Sequence, residues 1–226
     1  MDFVSRNQTS ESCQLPRLDP APPHGGFAPV AVQAINLACI RGGRLVFAGL
    51  SFRVAPASLL AVTGPNGSGK SSLLRVLAGL IRPEAGKLRF DGAEPDDAVA
   101  HYVGHAEALK PALSLRETLR FWAALYRGRG SDIAGAAGRV GLGHALDLPV
   151  AVLSAGQRRR AALARLLLAP RPLWLLDEPT AALDREGEAL LGTLMQKHLA
   201  SGGLVVAATH QDLPLPAHAM LDLAAN

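Results

Sequence analysis

The sequence predicts an α/β domain built around a parallel sheet, and three observations predict it. Three short, continuous apolar runs, Leu59–Thr63, Leu173–Leu176 and Leu204–Thr209, have the character of strands buried on both faces. Helix-like stretches precede or follow each run, which is the strand–helix alternation of an α/β chain. Each run leads into residues suited to phosphate chemistry: a Gly-rich loop, Asp177-Glu178, and His210. Ligands of such sheets sit at the carboxyl ends of the strands, so the three ends predict one site.

Composition agrees. The chain has 226 residues, 49% apolar and 19% charged, enough for one cored domain with a small appendage and too apolar for overall disorder. Aromatic residues make up 4%, so the core is expected to be aliphatic. The most apolar stretch, 161–176, is cut by Arg165, Pro170, Arg171 and Pro172, and no run of about 18 apolar residues predicts a membrane helix. The net charge of +4 is spread along the chain and does not argue for nucleic acid. Cys13 and Cys39 have neither metal-ligand spacing nor the makings of a disulfide framework. Met1-Asp2-Phe3 opens no signal peptide, and a reducing cytoplasmic setting is expected.

In chain order, residues 1–29 read as a flexible Pro-rich tail and 30–226 as the folded domain. Val30–Leu37 and Leu45–Val54 read as strands joined by Arg41-Gly42-Gly43. Leu59–Thr63 feeds the Gly-rich loop, and a helix is expected over Ser72–Leu80. Residues of about 106–152 read as a small inserted helical subdomain, with helices near Leu115–Tyr126 and Ile133–Val140. A further helix is expected from Ser154 to Ala169, stopped by Pro170. Its Arg158-Arg159-Arg160 run predicts a solvated or ion-paired face.

The loop Gly64-Pro65-Asn66-Gly67-Ser68-Gly69-Lys70-Ser71 fits G-x-x-x-x-G-K-[ST] between a strand and a helix. Its glycines let backbone N–H groups wrap nucleotide phosphates, and the helix N-terminus with Ser72 adds a favourable dipole. Lys70 is expected to reach the β- and γ-phosphates and the Ser71 hydroxyl to ligate Mg²⁺. Asp177 has the form of a second Mg²⁺-holding group, and Glu178 of the residue that orients or deprotonates a water. An Asp-Glu pair after a strand can equally be a helix N-cap. Ser154-Ala155-Gly156-Gln157 reads both as a capping box and as an anion site at a helix N-terminus. His210, alone at a strand end, gains a phosphate-facing role only from its companions.

Taken together, the P-loop, Leu153-Ser154-Ala155-Gly156-Gln157, Leu175-Leu176-Asp177-Glu178-Pro179, Ala181-Ala182-Leu183-Asp184 and His210, in that order, resemble an ABC ATPase. The resemblance implies a P-loop NTPase fold of the ABC nucleotide-binding type with ATP as substrate, Mg²⁺ as cofactor, and a head-to-tail dimer sandwiching two nucleotides. Ser154, Ala155, Gly156 and Gln157 of one protomer would then meet the nucleotide held by Gly64–Ser72 of the other, with Asp184 at the seam. Glu178, His210 and Lys70 would be the catalytic set. Two positions depart from the family pattern: His105 stands where a Mg²⁺-sensing Gln is usual, and Arg41 where an aromatic stacks on adenine. Ala57-Ser58 replaces a common Gly-Glu.

Within that family, Cys39-Ile40-Arg41, Leu50-Ser51-Phe52, Gly104-His105 and Leu173-Trp174-Leu175-Leu176-Asp177 resemble the ATP-binding subunit of the cytochrome c maturation haem exporter, the CcmA type. That resemblance implies a peripheral protein on the cytoplasmic face of the inner membrane. Its partners would be the integral membrane subunits of the same system, with no nucleic acid and no haem bound by this chain. An ABC exporter subunit for another substrate and a soluble ABC assembly or clamp ATPase are the alternative readings.

Overall fold

The computed structural model describes residues 27–93, 99–127 and 131–225. Residues 1–26 of the expected tail therefore lie outside the described residues. An antiparallel sheet of order β2-β1-β4 is built from β1 (Ala31–Arg41), β2 (Arg44–Val54) and β4 (Ala85–Asp91). A five-stranded parallel sheet of order β5-β6-β7-β3-β8 uses β3 (Leu59–Thr63), β5 (Ala100–Val103), β6 (Leu173–Asp177), β7 (Leu204–Ala208) and β8 (Ala219–Asp222). The helices are α1 (Lys70–Leu77), α2 (Leu115–Leu125), α3 (Ile133–Arg139), α4 (Ala155–Ala164) and α5 (Arg185–Ala200).

The continuous apolar runs follow from a sheet with a core on each side. Side chains alternate along a strand, so Leu173 and Leu175 of β6 join one core and Trp174 and Leu176 the other. Likewise β7 sends Leu204, Val206 and Ala208 one way, Val205 and Ala207 the other. The first core lies under the antiparallel sheet and α1, with Leu37, Phe47, Leu50, Leu73 and Leu74. The second contains Leu115, Leu119, Ala136, Leu163, Leu191 and Met195. The helices of 106–152 thus share one core with α4, α5 and the sheet.

Helix limits differ from the sequence expectation for local reasons. Helix α1 starts at Lys70, directly after Gly69, whose φ of 100° and tight approach to the Val46 side chain only glycine tolerates. It ends earlier than expected, in a Schellman-type turn where Leu80 N–H donates to Arg75 O at 2.9 Å across the left-handed Gly79. Helix α4 tightens into a 3₁₀ turn at Arg165–Leu167 instead of running as α-helix to Ala169. The unusual Ala57-Ser58 sits in the turn before β3. There Ala57 adopts φ 56° and the Ser58 hydroxyl donates to Ala55 O at 2.6 Å, so Ala57 takes a conformation that favours glycine.

Two histidines are buried beneath the sheet and its helices. His101, 1% exposed, contacts Ala169 O at 2.8 Å through Nε2, edge-on to Tyr126. His198 stacks on Trp174 at 3.9 Å and contacts Pro172 O. Burial first, with the nearby Arg171 and Arg165 charges also lowering it, brings His101 to about 3. Burial brings His198 to about 4. Folded values below the unfolded 6.5 mean that stability is present above about pH 6.5 and is lost as pH falls toward the folded values. We expect the two to remove about 4 kcal/mol between pH 8 and pH 5, lowering Tm by about 10 °C. Thermal unfolding across that range checks this, and His198→Gln is expected to flatten the slope by about half.

Candidate nucleotide site

At the carboxyl ends of β3, β6 and β7 lies a cavity of about 420 Å³ lined by Val46, Asn66, Gly67, Gly69, Lys70, Ser71, Ser72, His105, Asp177, Glu178 and His210. The chain arrives there because β3, β6 and β7 are adjacent parallel strands, which brings their C-terminal loops together. Lys70, 7% exposed, donates from Nζ to Gly64 O at 2.7 Å and Pro65 O at 3.1 Å, so its ammonium hangs over the loop. Within the same loop, Ser68 Oγ is buried without a hydrogen-bond partner among the described residues.

Ser71 Oγ donates to Asp177 Oδ1 at 3.0 Å, joining the start of α1 to the end of β6. Two hard oxygen donors beside a phosphate loop fit Mg²⁺, which takes few carboxylates and keeps waters and phosphate oxygens as its other ligands. Among the described residues no group of three or more His, Cys, Asp or Glu could hold a metal ion. Glu178 follows in a left-handed conformation, φ 49°, its N–H donating to Ala208 O at 2.8 Å as an extension of the β6–β7 ladder. Its Oε1 lies 2.9 Å from His210 Nδ1. Glu178 is largely buried and His210 over half exposed, so the pair spans from the cavity floor to its mouth. The contact gives His210 a carboxylate companion that its place in the sequence does not reveal.

Other expected residues lie apart from this cavity. Ser154 caps α4: its Oγ accepts from Gln157 N–H at 3.1 Å while Gln157 Oε1 accepts from Ser154 N–H at 2.9 Å, a complete capping box. Ser154 and Ala155 are exposed, with Gly156 packed toward Ala182 O. None of Ser154, Ala155, Gly156 and Gln157 lines the cavity of its own chain. Asp184 caps α5 by accepting from Gly187 N–H at 2.8 Å. Arg41 ends β1, exposed and paired in register with Arg44, while Val46 of the same hairpin reaches the cavity wall.

One reading is corrected. The Arg158-Arg159-Arg160 run is not a solvated face: Arg159 is 2% exposed. It shares a helical face with Leu163 and Leu166, at i+4 and i+7, and follows their phase into the core. That phase was the available signal. Arg158 does behave as expected, 3.6 Å from Glu107 Oε2. Tyr102, a second residue that sequence reading missed, places its hydroxyl 3.4 Å from Asp177 Oδ2. Burial, followed by the Asp177 charge, pushes that hydroxyl's pKa up, so it stays protonated and donates to the carboxylate.

Among known proteins, a family model described as ABC transporter matches residues 47–181. The cytochrome c biogenesis ATP-binding export protein CcmA of Rhodopseudomonas palustris (strain BisB5) is 55% identical over 188 residues, covering 82% of this chain and 94% of that protein. Its namesake from Rhodospirillum rubrum is 50% identical over 210 residues, covering 89% and 90%. A solved structure of a putative ABC transporter ATP-binding protein from Pyrococcus furiosus aligns with a TM-score of 0.75 over 86% of this chain and 98% of that one. At 20% identity, that likeness speaks for the fold alone.

Proposed function

The chain belongs to the ABC transporter ATP-binding proteins and, among them, to the CcmA-type export proteins of cytochrome c biogenesis, and from that premise we propose that it powers haem delivery for c-type cytochrome assembly. It hydrolyses ATP to ADP and phosphate as the soluble-sided subunit of a membrane complex. Among the described residues no helix is long and apolar enough to cross a membrane; in this reading partner subunits supply the transmembrane path.

The observation that carries the reading is the convergence of Lys70, Ser71, Asp177, Glu178 and His210 on one cavity, with Glu178 Oε1 and His210 Nδ1 at 2.9 Å. The loop amides and Lys70 bind the β- and γ-phosphates, preorganised donors facing the charge that develops in transfer. Ser71 and Asp177 hold Mg²⁺, which when bound neutralises charge on the phosphate oxygens. Glu178 orients the attacking water and accepts its proton, and His210 holds that carboxylate in place. Ser154, Ala155, Gly156 and Gln157 of one protomer close on the nucleotide of the other, the helix N-terminus of α4 meeting the γ-phosphate. Asp184 lies at the seam, Arg41 offers a flat guanidinium to the base, and His105 reports the nucleotide's state to the membrane partners. The protein sits on the cytoplasmic face of the inner membrane.

Deletion of the gene tests the process. Haem-stained c-type cytochromes are expected to disappear and to return on re-expression. Normal levels in the deletion strain would assign the ATPase to another export substrate. Purification in detergent is expected to bring integral membrane subunits with the chain, and a chain that purifies alone from membranes rejects the complex.

A further inference from the structure

Arg159 does more than fill the core. From the second turn of α4, its Nη1 donates to Gly104 O at 2.9 Å. Its Nη2 donates to Asp177 O at 2.8 Å and Glu178 O at 2.6 Å, and its Nε to Pro179 O at 3.4 Å. One guanidinium thereby gathers the carbonyls of three consecutive residues around the left-handed Glu178 and the carbonyl just before His105. Among the described residues it forms no ion pair with a carboxylate. Its charge is met at contact by backbone dipoles and at longer range by the Glu107, Asp177 and Glu178 carboxylates. The planar fork of donors suits this arrangement, whereas a lysine ammonium, a point donor on a flexible stem, cannot span the same carbonyls.

These contacts join three elements. Helix α4 carries Ser154–Gln157 at its N-terminus, β6 ends in Asp177-Glu178, and β5 runs into Gly104-His105. We propose that Arg159 is a positioning residue that fixes the Glu178 turn to α4 and to the His105 loop, so that engagement of Ser154–Gln157 by a partner's nucleotide sets the catalytic carboxylate. This rests on the ATPase reading above and names a coupling device inside it. A guanidinium that merely packed would hold α4 in place without reaching the one residue whose carboxylate meets the water.

The test uses the full-length chain carrying Arg159→Lys or Arg159→Gln, with ATP hydrolysis followed against ATP concentration and Mg-ATP binding measured by equilibrium dialysis. Misplacement of a catalytic group costs about 10–100-fold, so kcat is expected to fall by about that factor while KM and ATP affinity stay within about 3-fold. Unchanged kcat in a folded Arg159→Lys protein overturns the proposal. So does a KM that rises with kcat intact, which would place Arg159 in nucleotide binding. Lys70→Ala run in parallel separates the two levels: unaltered ATP affinity there sinks the site itself, whatever Arg159 does. If neither Arg159 variant folds, hydrogen exchange on the unmodified chain answers the same question. Mg-ATP is expected to protect peptides covering 103–105, 158–164 and 177–180 together. Protection of 177–180 with 158–164 unchanged overturns the coupling.

Discussion

Glu178→Gln is expected to lower kcat for ATP hydrolysis by roughly 10²–10⁴, the usual worth of a positioned general base, while ATP stays bound. The carboxylate is largely buried and, among the described residues, its side chain pairs with His210 at 2.9 Å, so the amide replaces it in shape. What the amide lacks is the capacity to accept a proton from water. The backbone contacts that define the turn, Glu178 N–H to Ala208 O and Arg159 to Glu178 O, do not involve the side chain and persist in the variant. A bound, unhydrolysed nucleotide should therefore accumulate, together with a nucleotide-dependent dimer visible by size-exclusion chromatography with light scattering. Turnover within a few-fold of the unaltered protein would remove Glu178 from the chemistry.

Lys70→Ala is expected to act earlier, on binding. A hydrogen bond to a charged group contributes about 1.5–3 kcal/mol, and the lysine ammonium is the cation that α1 presents over the phosphate loop. Loss of its phosphate contacts should weaken triphosphate binding by about 10²-fold or more and abolish hydrolysis at ordinary ATP concentrations. Direct binding measured with a fluorescent ATP analogue checks it. The contrast between the two variants is diagnostic: Glu178→Gln keeps the nucleotide and loses turnover, whereas Lys70→Ala loses both. If the two behave alike, the division of labour between the phosphate loop and the strand-end carboxylate is wrong.

Much of the site could be read from the chain because its signals are local. The P-loop needs glycines at fixed places, and Gly69, pressed against Val46 at φ 100°, shows why. The Ser154–Gln157 capping box closes within one turn, so its spacing in sequence is its geometry. Strands β3, β6 and β7 announced themselves because both faces are buried. Edge and surface elements did not. Strand β4 leaves most residues exposed and β5 has four residues, so neither carries a continuous apolar run, and β8 alternates half-buried with exposed positions at the sheet edge.

The sequence by itself determined the chemistry: which residues can cradle phosphate, hold a cation and accept a proton, and the order in which they occur. Tertiary structure decided who meets whom. It set His210 against Glu178 and drew Ser71 to Asp177, across a hundred intervening residues. It kept Ser154–Gln157 away from its own chain's cavity, and it turned Arg159 from an apparent surface charge into a clasp on the Glu178 turn. The reason is physical. Periodicity, capping and turn chemistry are settled within a few residues, whereas the burial of a charge depends on carbonyls that only the assembled sheet brings within reach.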